Sequence, residues 1–205
     1  MSSHDYLTLS GPGNAQTRVL GSRFLGTASP VSSENDVTSR LEEEKKRYHD
    51  ATHWCYAFRL RDGESAVERA SDAGEPHGTA GSPILREIRR RELIDCLVIV
   101  TRYFGGTKLG TGGLARAYGQ CAASALDAAP IVRKRMMAHV LVNCSPDDQR
   151  IVYHVARRFE AIVHPESSAD GAAFRVDVPA DRLETLAQAL RDESRGRVNV
   201  REEKP

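Results

Sequence analysis

From Arg102 to Gly113 the chain reads RYFGGTKLGTGG, with five glycines in its last nine residues. Glycine permits backbone conformations and close approaches that other residues cannot make. The segment separates an apolar run from a helical pattern, so it leads into a helix N-terminus. Unpaired N–H groups and the positive end of the helix dipole suit a phosphate or carboxylate there. Lys108 lies within the loop, and Arg102 and Arg116 flank it. Arg102, Gly105, Gly106, Lys108, Gly110, Gly112, Gly113 and Arg116 are therefore the candidate anion- or nucleic-acid-binding residues. The structural alternative is a glycine-lined turn that packs helix against sheet. A phosphate-binding Walker loop is excluded, because no Gly-Lys-Ser/Thr follows the first glycines. Gly110-x-Gly112-x-x-Ala115 only imitates a dinucleotide fingerprint, since no acidic partner follows a second strand.

A second polar loop, Ser71 to Gly81 (SDAGEPHGTAG), carries Asp72, Glu75, His77 and Thr79. The two carboxylates could act as an acid/base pair or hold a cation. Equally, Asp72 can cap a turn and Thr79 the next helix. His49, His53 and Cys55 lack the second ligand pair that a zinc site needs, and a buried, inert Cys55 fits better. Neither a nucleophile elbow nor a zinc-binding HExxH helix is present. No metal and no cofactor is expected.

These loops sit in a chain of 205 residues, 40% hydrophobic and 28% charged, with 29 Lys+Arg against 28 Asp+Glu. That composition excludes a disordered chain, and no apolar run approaches the ~20 residues that span a bilayer. The N-terminal MSSHDYLTLS lacks the pattern of a secretory signal. The four cysteines are scattered, which argues against disulfides and points to a reducing cytoplasm. The near-neutral total hides a basic stretch. Between Cys96 and Pro146 stand Arg102, Lys108, Arg116, Arg133, Lys134 and Arg135 against Asp127 alone, and anions are the natural partner of such a surplus. LEEEKKR, from Leu41 to Arg47, reads instead as a solvated helix face.

The elements that position the loops follow from periodicity. Arg23–Val31 reads as a strand and Ser33–Tyr48 as a helix capped by Ser32 or Ser33. His53–Leu60 alternates as a strand, with Asp62-Gly63 turning it. Pro83–Arg90 is a short helix with Pro at its first position. Leu93–Phe104 is a strand whose apolar centre, Cys96 to Val100, suits cover on both faces. A helix then runs from near Gly112 to about Ala128. Asp127–Arg135 reads as a linker. Beyond it the order is strand 138–144, helix 146–159, strands 161–164 and 172–178, a helix capped by Asp181, and strand 197–201. That β-α-β-β-α-β order is the ferredoxin-like arrangement. The expected division is residues 1–132 and 133–205.

Three segments carry a family resemblance. His53-x-Cys55, the Ser71–Pro83 loop and Arg102-Tyr103-Phe104-Gly105-Gly106 through Leu114-x-Arg116-Ala117-Tyr118 closely resemble the YigZ/Impact family. The first-half match runs from about Ser22 to Ala128, and the second half is similar to the C-terminal domain of bacterial members. Ala73 departs from the family, standing where many members carry a second Asp. The stretch Thr17 to Gly21 also lacks the Glu and Lys that often precede Ser22.

The resemblance implies an α+β chain: an N-terminal domain like those of ribosomal proteins and elongation factors, then a ferredoxin-like βαββαβ domain. It also implies a link to translation, since eukaryotic relatives regulate translation by binding the activator of a starvation-sensing kinase. Fold analogy alone does not assign function. The first expectation is a cytoplasmic protein that binds RNA, a ribosome or a translation factor through the basic glycine loop. The rival is an enzyme on a small phosphorylated or carboxylated substrate, with Asp72, Glu75 and His77 as acid/base groups. A protein-interaction module without chemistry is the third reading.

Overall fold

In the computed structural model, residues 5–63, 65–166 and 171–202 are described. They form two compact units, one spanning Tyr6–Lys134 and the other made of Asp5 and the residues from Arg135 onward. The first residues of the N-terminal stretch and the last three of the chain lie outside the described residues.

The first unit contains β1 (Asp5–Leu9), β2 (Gly13–Val19), β3 (Ser22–Pro30), α1 (Glu34–Arg47), β4 (His53–Asp62), β5 (Ser65–Ser71), α2 (Gly81–Arg90), β6 (Cys96–Tyr103), α3 (Gly110–Asp127) and β7 (Ile131–Arg135), except that the end residues Asp5 and Arg135 belong to the second unit. Five of the strands form an antiparallel sheet in the order β2-β3-β6-β4-β5. The apolar run of β6 puts it at the centre, where seven of its eight residues are buried. Its even-numbered residues Cys96, Val98 and Val100 join Ile84, Ile88, Leu114 and Cys121 in one core. Leu97 and Ile99 join Val37 of α1 in the core on the opposite face. Each such buried side chain contributes roughly 1.5–3 kcal/mol, so these layers outweigh any exposed ion pair, worth about 0–1 kcal/mol.

Local chemistry sets the ends of the helices. Ser33 caps α1 by accepting from the Asp36 amide, while Asp36 accepts back from the amide and hydroxyl of Ser32. α2 begins at Gly81, so Pro83 is its third residue and not its first. A proline is tolerated there because first-turn N–H groups have no intrahelical partner. The Leu41–Arg47 face is not wholly solvated. Glu44 is buried, and its carboxylate accepts from Thr27 and, at 3.4 Å, from Thr101. It shares the helix stripe of Val37 and Leu41, which faces the sheet.

Four strands escape the periodicity reading. β2 and β5 are the polar edges of the sheet, and β1 pairs with β7 inside the expected linker. β5 and β7 carry charge and bury little, as edge strands do, whereas β2 alternates and β1 ends on the buried Thr8 and Leu9.

The second unit contains β8 (Met137–Cys144), α4 (Gln149–Arg158), β9 (Ile162–Glu166), β10 (Ala172–Pro179), α5 (Leu183–Glu193) and β11 (Asn199–Glu202). The sheet order β11-β8-β10-β9 is antiparallel and is the split-βαβ topology that the sequence implies. Val140, Val142, Phe174, Val176 and Val178 pack against Val152, Val155, Leu186 and Leu190. Asp181 does not begin α5. It lies in a short 3-10 turn before the helix and accepts from Arg135 at 2.9 Å.

Candidate functional site

The two loops meet at the end of β6. Strand register sets Arg102 between Phe24 of β3 and His53 of β4. One arm of its guanidinium donates to Glu75 Oε1 at 2.6 Å and the other to Ser22 Oγ at 3.2 Å. The Tyr118 hydroxyl donates to the same Glu75 oxygen at 2.7 Å. Phe24 and Phe104 place their rings 5.4 and 5.5 Å from the guanidinium carbon. The Arg102 and Glu75 side chains are only 5% and 4% exposed. A charge this deeply buried is stable only when paired and hydrogen-bonded; both terminal nitrogens of Arg102 meet that condition, while its buried Nε has no hydrogen-bond partner among the described residues.

The surrounding groups fix the 72–80 loop. His53 Nδ1 donates to the Ala73 carbonyl at 2.9 Å, which leaves Nε2 3.9 Å from Glu75. Cys55 Sγ donates to the Asp72 carbonyl. Burial pushes the Cys55 thiol up to about 12 and also pushes the Tyr118 phenol up. Neither group ionises near neutral pH. Ala73 takes a left-handed φ of 44°, a conformation in which Asp or Asn is more at home than Ala.

The candidate residues of this loop therefore do not form one acid/base cluster. Asp72 accepts from the amides of Gly78, Ala80 and Gly81 at 2.8–2.9 Å, capping α2 from outside the helix. Burial opposes its ionisation, but these three amides and nearby His77 outweigh that effect and lower its pKa. Thr79 is buried and donates to the Pro76 carbonyl at 2.7 Å. The His77 side chain is fully exposed. Among the described residues, no group of three or more His, Cys, Asp or Glu side chains is placed to hold a metal.

The glycines of the second loop serve different ends. A Cβ on Gly105 would lie about 2 Å from the backbone of Gly21 and Ser22, so only glycine fits. Gly106 and Gly110 have φ of +86° and +69°. Gly112 has open space and an ordinary φ, and neither packing nor backbone requires it. Gly113 would bring a Cβ 3.2 Å from Leu109. α3 starts at Gly110 without a side-chain cap, and Lys108 and Arg116 are both exposed. Two of the three expected basic groups thus face solvent, while the third, Arg102, is held internally. Sequence reasoning on residue types left out Ser22, Phe24 and Tyr118, although Tyr118 ends one of the family-like segments.

A central strand whose penultimate arginine ties the 71–81 loop to β3, on an antiparallel sheet followed by a βαββαβ unit, defines an α+β chain of the Impact class. Residues 20–126 match the family model described as the Impact N-terminal domain, and the chain belongs to the Impact family. It is 39% identical to "IMPACT family member YvyE" of Bacillus subtilis (strain 168) over 134 residues, 65% of this chain and 61% of that protein. The alignment thus spans less than two thirds of YvyE's own length. It is 28% identical to "IMPACT family member YigZ" of Escherichia coli (strain K12) over 203 residues, covering 95% and 96% of the two chains. A solved structure titled "Crystal structure of an hypothetical protein" superposes with a TM-score of 0.76 at 26% identity, covering 96% of each chain.

Proposed function

We propose that this chain is a translation-associated binding protein that holds RNA on the surface formed by the glycine loop and the start of α3. In this reading residues 1–132 form the ligand-binding domain, and residues 133–205 form a second domain. Lys108 and Arg116 contact phosphates, and Gly112 lets a phosphate approach the first-turn amides. Arg102 contributes indirectly by fixing the end of β6, from which the loop departs.

The observation that carries the reading is the buried Glu75–Arg102 pair. It neutralises Glu75, and among the described residues no acid pairs with the exposed Lys108 or Arg116. The same pair disfavours the enzyme reading. Glu75 is engaged by Arg102 and Tyr118, and Asp72 by three amides. Neither is available as a general acid or base for a substrate.

Co-sedimentation with ribosomes from lysate, with and without nuclease, tests this function. Sedimentation that nuclease abolishes supports RNA binding. Sedimentation that survives nuclease identifies a protein partner instead, and none at all contradicts the translation link.

A further inference from the structure

Phe104 is 48% exposed, although large aromatic side chains gain most from burial. Its backbone is nonetheless held firmly. Its own amide donates to Thr52 Oγ1 at 3.1 Å, and the next amide, that of Gly105, donates to Ser22 Oγ at 3.2 Å. Gly105 is wedged against Gly21 and Ser22 with no room for a side chain. The ring packs on the Arg102 guanidinium, 5.5 Å from its carbon, and that guanidinium is fixed in turn by Glu75 and Ser22. An exposed aromatic ring, rigidly mounted above a buried cation, is a preorganised platform.

We infer that Phe104 stacks on an unpaired base of single-stranded RNA. The inference rests on the RNA-binding reading above and assigns the part of the ligand that the loop itself cannot recognise. Lys108 follows Phe104 by four residues and Arg116 lies on the adjoining helix, both exposed for the phosphates beside such a base. The Glu75 carboxylate beneath the platform is ion-paired and does not repel them. Base stacking on an aromatic ring is tolerant of sequence, and positive charge tracks the backbone. Paired bases are stacked on one another and cannot offer a free face, so a duplex does not fit.

Fluorescence anisotropy with a labelled mixed-sequence single strand, and with the same strand in a duplex, tests this in wild type, Phe104→Ala, Phe104→Leu and Phe104→Trp. Leu covers Arg102 without offering a π face, which separates stacking from a packing role. The expected result is about tenfold weaker single-strand binding for Ala and Leu, with Trp close to wild type. The salt slope stays constant, because no charge is removed. In Phe104→Trp, the added fluorescence should be quenched when the single strand binds. Single-strand binding by Phe104→Leu at wild-type affinity would overturn the inference and leave RNA binding standing. A wild type with no affinity for either RNA would overturn both readings. Thermal unfolding confirms that each variant is folded, and if Ala is not, Leu and Trp decide.

Discussion

Arg102 donates to Glu75 across 2.6 Å, in a pair almost completely withdrawn from solvent. The partners are 27 residues apart and belong to segments that the sequence presents as separate candidates. Their pairing makes the segments one structure. It also takes Arg102 out of the exposed basic set and makes it an internal anchor for Glu75 and Ser22.

Removing one member of such a pair strands a buried charge, at a cost of about 3–5 kcal/mol. Arg102→Met should lose roughly that much, read as a lower urea midpoint at unchanged slope. The double variant Arg102→Met, Glu75→Leu should lose less than the two single losses combined. A loss below about 1 kcal/mol in Arg102→Met would mean the pair behaves as a surface ion pair.

Asp72 caps α2 through the amides of Ala80 and Gly81, accepts a third bond from Gly78 in the loop, and has a lowered pKa in the folded chain. Its contribution is therefore present above the unfolded value of about 3.9 and is lost as pH falls through the folded value. Asp72→Ala should cost about 1–2 kcal/mol at neutral pH, and the difference from wild type should shrink in acid. A difference that stays constant down to pH 2 would contradict the cap.

Glu44 behaves in the opposite sense. Burial raises its pKa, against the bonds from Thr27 and Thr101 and the charge of Arg47. Its protonated form is favoured in the fold. That contribution is complete below the unfolded value of about 4.3 and is lost as pH rises through the folded value. Glu44→Gln should gain stability relative to wild type across that interval, in chemical unfolding followed against pH. A constant difference would show the carboxylate to be hydrated.

The glycines can be told apart by substitution. Gly105→Ala forces backbone away from backbone at Gly21 and should cost more than about 2 kcal/mol. Gly112→Ala enters open space in a helix and should gain up to about 1 kcal/mol. Equal thermal shifts in the two variants would contradict this division.

What the sequence disclosed depended on whether burial was written in apolar periodicity. The run of β6, the alternation of β4 and the βαββαβ order of the second unit were readable because their apolar residues recur at strand or helix spacing. β5 and β7 were not, because charged strands that bury little resemble loops. Glu44 and Arg102 were misread for a related reason. A charged side chain is taken as exposed until its partners are known, and these partners come from strand register and loop closure. The family-like segments named most of the site, but not which member of each segment turned inward.

The central claim is that Lys108 and Arg116 form a phosphate-binding surface, and RNA affinity measured against salt tests it most directly. Lys108→Ala and Arg116→Ala should each weaken binding across sequences and lower the log–log salt slope by about 0.7 for a single strand. Unchanged affinity and slope in both variants, with the fold intact, would contradict the account and leave the glycine loop a packing device.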